Sequence, residues 1–160
     1  MYANSHYYAF IVSKGRSCKV LLEDLGESEQ INHNIRELRK LIIRLASDSD
    51  QKFFIKDESK SIKELSKKLH DSIFLPLREH IGKKKRFFIC PDGDLNLIPL
   101  EILVEPEGNY LIEKYTFNYL TSGRDLLRSD LKKKQALENQ RGKGSVNNLS
   151  LFYLQCPFRY

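Results

Sequence analysis

The sequence predicts an α/β protein in which helices flank a mostly parallel sheet. Short apolar runs typical of strands alternate with longer segments of helical periodicity. One run, at residues 87–90, is apolar at four successive positions, as in a parallel strand covered on both faces. The 160 residues, 41% hydrophobic and 30% charged, suffice for one domain with its own core.

The N-terminal region contains two predicted strands. Residues 6–13 are rich in aromatic and β-branched side chains, and a second such run at residues 18–22 follows Gly15. We therefore expect either a hairpin or two neighbouring strands of the sheet.

Residues 28–46 predict an amphipathic helix that covers the sheet. Its apolar side chains recur at alternating spacings of four and three, which places them on one face: Ile31, Ile35, Leu38, Ile42 and Leu45. Charged residues fill much of the remainder, as expected for the side in water.

A second helix is predicted to begin near Ser61, because Ser61 and Glu64 have the spacing of a capping box. Pro76 lacks an N–H and clashes with the preceding turn, so we expect a kink or restart there before an end near Gly82. Residues 47–60 are expected to form a connection with a short extended piece at 53–55.

Residues 86–103 are the most informative stretch of the chain. The strand at 87–90 must stop at Pro91-Asp92-Gly93, since proline cannot donate to a sheet and glycine supplies positive φ. Asp92 is expected to hold this turn. The segment 98–103 keeps four apolar side chains and should pack at the sheet end, with Glu101 accepting backbone N–H groups there. A turn at 105–109 and a strand at 115–120 complete this region.

The run from Phe88 to Leu103 resembles the Pro-Asp-Gly and (Leu/Ile)-Pro-(aromatic/aliphatic)-Glu signature of CHAT domains. These are caspase-like relatives of cysteine peptidases that often accompany helical TPR repeats. Residues 110–123 resemble the next strand and polar turn of that family, and 72–77 resemble its proline-interrupted helix. The resemblance covers about residues 7–127. The signature positions, to which we assign structural roles, are Pro91, Asp92, Gly93, Pro99, Leu100, Glu101, Ser122 and Gly123.

The family's catalytic pattern is missing from these 160 residues. Activity in the family rests on a histidine followed by glycine and on a later cysteine that follows a Ser-Ala pair. No histidine here (His6, His33, His70, His80) precedes glycine, and no cysteine (Cys18, Cys90, Cys156) follows Ser-Ala. The resemblance therefore implies the N-terminal half of the domain, with no catalytic residue assigned and the enzyme question left open.

The C-terminal part changes character at residue 128. Six basic and two acidic residues in 128–148 supply +4 of the chain's net charge of +6, and its glycine, serine and asparagine content predicts a flexible loop. Residues 149–154 predict a strand, and 155–160 depart from the family pattern. We interpret residues 1–160 as one partial CHAT domain, from a frameshift, a premature stop, an incomplete gene model or a short paralogue.

Other candidate sites receive structural interpretations. His70 with Asp71, and His80 with Glu79, could suggest acid–base chemistry. Because adjacent side chains on a helix point apart, we expect both to be surface pairs instead. Cys90 is expected to be a packing residue, and residues 83–86 a solvated basic turn. The cysteine spacing suggests neither disulfides nor zinc, and we predict no metal and no cofactor.

Three function hypotheses follow. The first is a fragment of a caspase-like peptidase that is inactive alone, whose parent would cleave a peptide substrate. The second is an interaction module that binds a homologous chain or a TPR protein through an unpaired sheet edge. The third and weakest is a basic nucleic-acid-binding protein, which lacks an aromatic stacking platform. With no signal peptide or membrane span in the sequence, we expect a cytoplasmic protein without a membrane partner.

Overall fold

A computed structural model describes residues 5–13, 20–47, 55–122, 124 and 150–155. The strands are β1 (His6–Ser13), β2 (Val20–Glu27), β3 (Arg86–Cys90), β4 (Thr116–Tyr119) and β5 (Ser150–Gln155). The helices are α1 (Ser28–Ser47), α2 (Ile55–Leu69) and α3 (Arg78–Ile81), with a π-helical turn at His70–Phe74 and 3₁₀ turns at Gly93–Leu97, Leu100–Ile102 and Leu111–Glu113. Among the described helices, none has the length and apolar character needed to cross a membrane.

The five described strands form one sheet in the order β2-β1-β5-β3-β4. β3 runs parallel to both β4 and β5, whereas β1 is antiparallel to both β2 and β5. The protein is thus a mixed helix-and-strand structure, as predicted. Among the described strands, β2, β3, β4 and β5 run in the same direction and β1 runs against them. The short connection between β1 and β2 explains why those two strands are antiparallel, because a short connection can join only antiparallel neighbours.

The N-terminal strands form the expected antiparallel pair. β1 has the predicted bounds, and β2 continues to Glu27, beyond the predicted end at residue 22. Their register shifts opposite Tyr7 and Tyr8, which pair with Gly26 and Asp24. The shift leaves Leu25 as an extra residue in β2, which is a β-bulge.

α1 covers one face of the sheet, as its periodicity predicts. Ile31, Ile35 and Leu38 are almost fully buried and belong to the same core cluster as the alternate residues of the strands beneath them. Those strand residues are Tyr7, Ala9 and Ile11 of β1 and Phe87 and Ile89 of β3. The apolar face of α1 continues to Ile42, but the Ile42 side chain is 38% exposed, so the second half of α1 extends past the core.

α2 begins at Ile55, six residues before the predicted start at Ser61. The Ser61–Glu64 spacing therefore lies inside the helix and marks no end, and Ile55 is helical rather than extended. The expected interruption at Pro76 is confirmed: α2 passes into the π-helical turn, and α3 restarts at Arg78 before Gly82. The missing N–H of Pro76 explains why the helix cannot run through this point.

Four aromatic rings join the end of this helical region to the sheet. Phe74 lies at the end of the π-helical turn, and its ring centroid is 5.2 Å from that of Tyr115 and 6.4 Å from that of Phe87. Phe117 lies opposite Phe87 in the β3–β4 pairing, with ring centroids 5.7 Å apart. This cluster fixes β4 against the core.

Several sequence predictions lie outside the described residues. They include the basic segment 128–148, the aromatic pair at 53–54, Gly123, Cys18, Cys156 and the tail at 156–160. β5 occupies residues 150–155, at the place where the sequence predicts a strand at 149–154.

Candidate functional site

The candidate site lies at the edge of the sheet where β3 and β4 end. Because these strands are parallel, Cys90 and Tyr119, their last residues, reach the same edge. In α/β sheets, the carboxyl ends of parallel strands are the usual place for ligands. The signature residues 91–101 follow β3 and are built over this edge.

The Pro-Asp-Gly turn ends β3 and starts a 3₁₀ turn. Asp92 precedes that turn in extended conformation, and its Oδ1 accepts a hydrogen bond from the Gly93 N–H at 2.8 Å. Gly93 has φ of +59°, a left-handed conformation that favours glycine. The sequence motif thus matches the local backbone: an acceptor before the turn and glycine where φ is positive.

Tyr7 connects this turn to the opposite part of the sheet. Its side chain is 1% exposed, and its hydroxyl donates to Asn32 Oδ1 of α1 at 2.8 Å while accepting from the Asp94 N–H at 3.2 Å. A Cβ atom added to Gly93 would lie 2.7 Å from that hydroxyl. The glycine is therefore required both by its backbone conformation and by the close approach of Tyr7.

An ion pair adds a second link between α1 and the turn. Arg36 approaches one carboxylate oxygen of Asp94 through two nitrogens, Nε and one terminal nitrogen, each at 2.8 Å. The Arg36 side chain is 63% exposed and that of Asp94 24% exposed, so water screens much of the attraction. The pair orients the turn more than it stabilises the protein.

The second signature segment is held by Tyr119 at the end of β4. The Tyr119 hydroxyl accepts from the Leu100 N–H at 2.7 Å and donates to Glu101 Oε2 at 2.6 Å. Burial, and secondarily the hydrogen bond to Glu101, raise the pKa of Tyr119 above its usual range. The hydroxyl therefore keeps its proton and bridges the backbone and the carboxylate.

Glu101 has a different partner from the one predicted. We expected its carboxylate to accept backbone N–H groups, whereas its observed bond comes from the Tyr119 hydroxyl. The apolar neighbours behave as predicted, with Ile98, Leu100 and Leu103 each at most 3% exposed. The segment is therefore a core segment with one carboxylate at its margin.

A buried carboxylate lies just after the signature. Glu105 is 1% exposed and forms an ion pair with Lys114, which follows the 3₁₀ turn at 111–113. The hydrogen bond that Lys114 donates to the Glu105 carboxylate raises the pKa of Lys114, so the ammonium remains charged. This contact closes the turn at 105–109, where the Gly108 N–H also donates to the Glu105 carbonyl at 2.9 Å.

The side-chain polar contacts of His6, His70 and His80 are with carboxylates. His70 lies 2.9 Å from Asp71 through Nδ1 and is fully buried, so the expectation of a surface pair pointing apart is wrong. The two residues begin a π-helical turn, whose wider backbone changes the angle between neighbouring side chains. His80 contacts Glu23 of β2 at 3.2 Å, a partner that the sequence did not indicate, and His6 contacts Asp24 at 2.9 Å.

The remaining described signature residues and Cys90 differ in their exposure to solvent. Cys90 is a reduced thiol, 2% exposed, at the end of β3. Pro91 and Ser122 are half-buried, and Pro99 is exposed. No group of three or more potential metal ligands occurs within the part of the chain that the structure describes.

A comparison of the sequence with family models identifies a known domain. A model described as the CHAT domain matches residues 63–153, from inside α2 to inside β5, and includes the turn and both anchored segments. The chain belongs to the CHAT-domain family. The matched region starts later and ends later than the expected span of 7–127. No curated protein and no solved structure matched the chain.

Sequence reasoning missed the residues that hold the CHAT signature. Tyr7, Asn32 and Arg36 come from β1 and α1, and Tyr7 and Arg36 lie 58 or more residues before the atoms they contact at Asp94. One signal was present: a tyrosine on the core-facing side of a strand needs a hydrogen-bond partner for its hydroxyl. The sequence does not show which partner that is.

Proposed function

We propose that this chain supplies the structural front half of a caspase-like cysteine peptidase domain and does not cleave peptides by itself. The observation that carries the proposal is the CHAT match over residues 63–153 combined with the missing His-Gly and Ser-Ala-Cys patterns. A cysteine peptidase needs a thiolate activated by a base, and both groups must lie within hydrogen-bond reach.

The geometry of the carboxyl edge supports a scaffold role. Tyr7 and Arg36 fix the turn after β3, and Tyr119 fixes the segment after that turn. In the proposed parent domain, the catalytic histidine and cysteine would come from strands that add to this parallel half of the sheet, in the layering of caspase-like folds. The edge described here would then form one wall of the peptide-binding site.

The thiol at this edge gives no support to catalysis by the chain alone. Cys90 is 2% exposed, whereas a catalytic thiol must reach a substrate carbonyl. His70 is also fully buried, and its Nδ1 faces Asp71. Neither group is accessible to a peptide.

A hydrolysis assay tests the proposal. The purified chain is incubated with unstructured casein and with a mixed peptide library under reducing conditions, and cleavage is followed by mass spectrometry. We expect no cleavage above buffer. Cleavage that disappears when Cys18, Cys90 and Cys156 are all replaced by serine would overturn the proposal.

A second candidate function is favoured by the exposed edge strand β2. Val20 and Leu22 are 61% and 59% exposed at the end of the sheet, and such an edge can pair with a strand of another protein. On this proposal the chain is an interaction module whose partner is a homologous chain or a TPR protein. A co-purification with either partner at fixed stoichiometry would support it.

A further inference from the structure

β2 is an edge strand whose two halves differ. In the described sheet it has β1 on one side only, so the N–H and C=O groups of alternate residues point away from the sheet. The half from Asp24 to Glu27 carries a bulge, and the half from Val20 to Glu23 pairs regularly with β1.

The bulged half is protected against pairing with another strand. The Gly26 N–H donates to Asp24 Oδ1 at 2.8 Å, so this donor is already used inside the strand. That hydrogen bond and the contact with His6 lower the pKa of Asp24, which keeps the carboxylate charged. Bulges and charged side chains are the usual devices that stop edge strands from associating.

The regular half has the opposite character. Val20, Leu21 and Leu22, here called the apolar trio, are 61%, 40% and 59% exposed. They are consecutive, so they present apolar surface on both faces of the strand. Exposed aliphatic residues on an unprotected edge are a typical surface for β-strand addition.

We propose that the apolar trio pairs two copies of this chain through an antiparallel β2–β2 contact, with its two-fold axis at Leu21. Val20 of each copy then lies opposite Leu22 of the other copy. The inference names the partner for the interaction module described above, and therefore rests on that second candidate function and not on the peptidase assignment.

The order of charges in the sequence favours a second copy in the antiparallel direction. The sequence has a basic residue, Lys19, just before the trio and an acidic residue, Glu23, just after it. Antiparallel self-pairing brings Glu23 of one copy to the start of the other copy's trio, the side on which the sequence has Lys19. Parallel pairing in register sets Glu23 beside Glu23 and Asp24 beside Asp24. Like charges directly opposite each other destabilise a strand pair. The trio is thus complementary to itself under a two-fold axis.

Sedimentation velocity of the full chain over a wide concentration range tests the contact. We expect a reversible monomer–dimer equilibrium, because a small interface gives only modest affinity. Leu22→Lys should weaken the dimer by at least about tenfold, since a charge replaces a contact in the apolar trio. Ile112→Lys is the matched control: Ile112 is 64% exposed in the 3₁₀ turn at 111–113, and the same substitution there should leave the dimer unchanged.

A disulfide trap tests the register and is independent of the lysine variant. In a chain with Cys18 and Cys156 replaced by serine, Leu21→Cys lies on the two-fold axis, where facing Cα atoms are about 4.5–5.5 Å apart and a disulfide can form. Glu27→Cys on the same strand is six residues away and should not cross-link. We expect a covalent dimer after mild oxidation for Leu21→Cys alone.

Three results would overturn the inference. They are a chain that stays monomeric at every concentration, a dimer that Leu22→Lys leaves intact, and equal cross-linking at positions 21 and 27. If a TPR protein instead binds the monomeric chain, the interaction module stands and self-pairing does not.

Discussion

Replacing Gly93 by alanine tests the close approach between the signature turn and β1. The substitution adds one methyl group where φ is +59° and where the new Cβ would lie 2.7 Å from the Tyr7 hydroxyl. Real Cβ atoms do not approach an oxygen so closely, so the hydroxyl or the turn must move by several tenths of an ångström. Tyr7 is 1% exposed, and its hydrogen bonds with Asn32 and Asp94 resist that movement.

The expected destabilisation has two parts. The left-handed conformation costs an L-residue about 1–2 kcal/mol. Displacing the Tyr7 hydroxyl weakens two hydrogen bonds, each contributing about 0.5–1.5 kcal/mol, which adds about 1–3 kcal/mol. Gly93→Ala should therefore lower the free energy of unfolding by about 2–5 kcal/mol, or the melting temperature by about 4–20 °C.

A double-mutant cycle separates the two parts. Tyr7→Phe removes the clashing oxygen, and the next atom, Tyr7 Cζ, lies at an ordinary 3.6 Å from the added Cβ. In the Tyr7→Phe background, Gly93→Ala should cost only the conformational part, which gives a coupling energy of about 1–3 kcal/mol from urea unfolding curves. Gly82→Ala is a control for positive φ without a clash, because Gly82 has φ of +58° and open space around its Cβ position. The reasoning fails if Gly93→Ala costs the same in the parent chain as in the Tyr7→Phe variant.

Two further predictions concern the residues that hold the signature. Asp92→Ala should lower the free energy of unfolding by about 1 kcal/mol, because the Gly93 N–H loses its acceptor. Asp92→Asn keeps an acceptor and should lower it less. Identical melting curves for the two variants and the parent chain would contradict this role. Tyr119 has a raised pKa in the folded protein, so the folded state holds this proton more tightly than the unfolded state does. Its contribution to stability is therefore complete below about pH 10, the pKa of an unfolded tyrosine, and is lost as the pH rises further. Unfolding curves should show a smaller alkaline loss for Tyr119→Phe than for the parent chain, and an equal loss in both would contradict the prediction.

Local patterns in the sequence were enough to predict most helices and strands. The stripe from Ile31 to Leu38 predicted the buried face of α1, and the run at 87–90 predicted β3. The capping-box spacing at Ser61 did not predict the start of α2, because the preceding residues 55–60 are compatible with helix and the helix begins among them. The hairpin of β1 and β2 was one of the two predicted arrangements, whereas the antiparallel pairing of β1 with β5 was not predicted, because a hydrophobic run gives no strand direction.

Only the local contacts of the site could be predicted from the sequence. Asp92 and Gly93 act through their own backbone, so the local sequence predicted their conformation. Tyr7, Arg36 and Tyr119 act on atoms 18 to 87 residues away, and such pairings depend on the register of the sheet and the packing of α1. The His70–Asp71 contact required a π-helical turn, which no periodicity in the sequence indicates.

The central claim is that this CHAT chain provides scaffold and no thiol catalyst of its own. Active-site labelling tests it most directly: the folded chain is treated with a peptidyl acyloxymethyl ketone, which alkylates activated peptidase thiolates, and each cysteine is analysed by mass spectrometry. We expect no adduct at Cys90 and, at Cys18 and Cys156, no faster labelling than in the urea-unfolded chain. Rapid stoichiometric labelling of one cysteine in the folded chain, lost on unfolding, would contradict the claim.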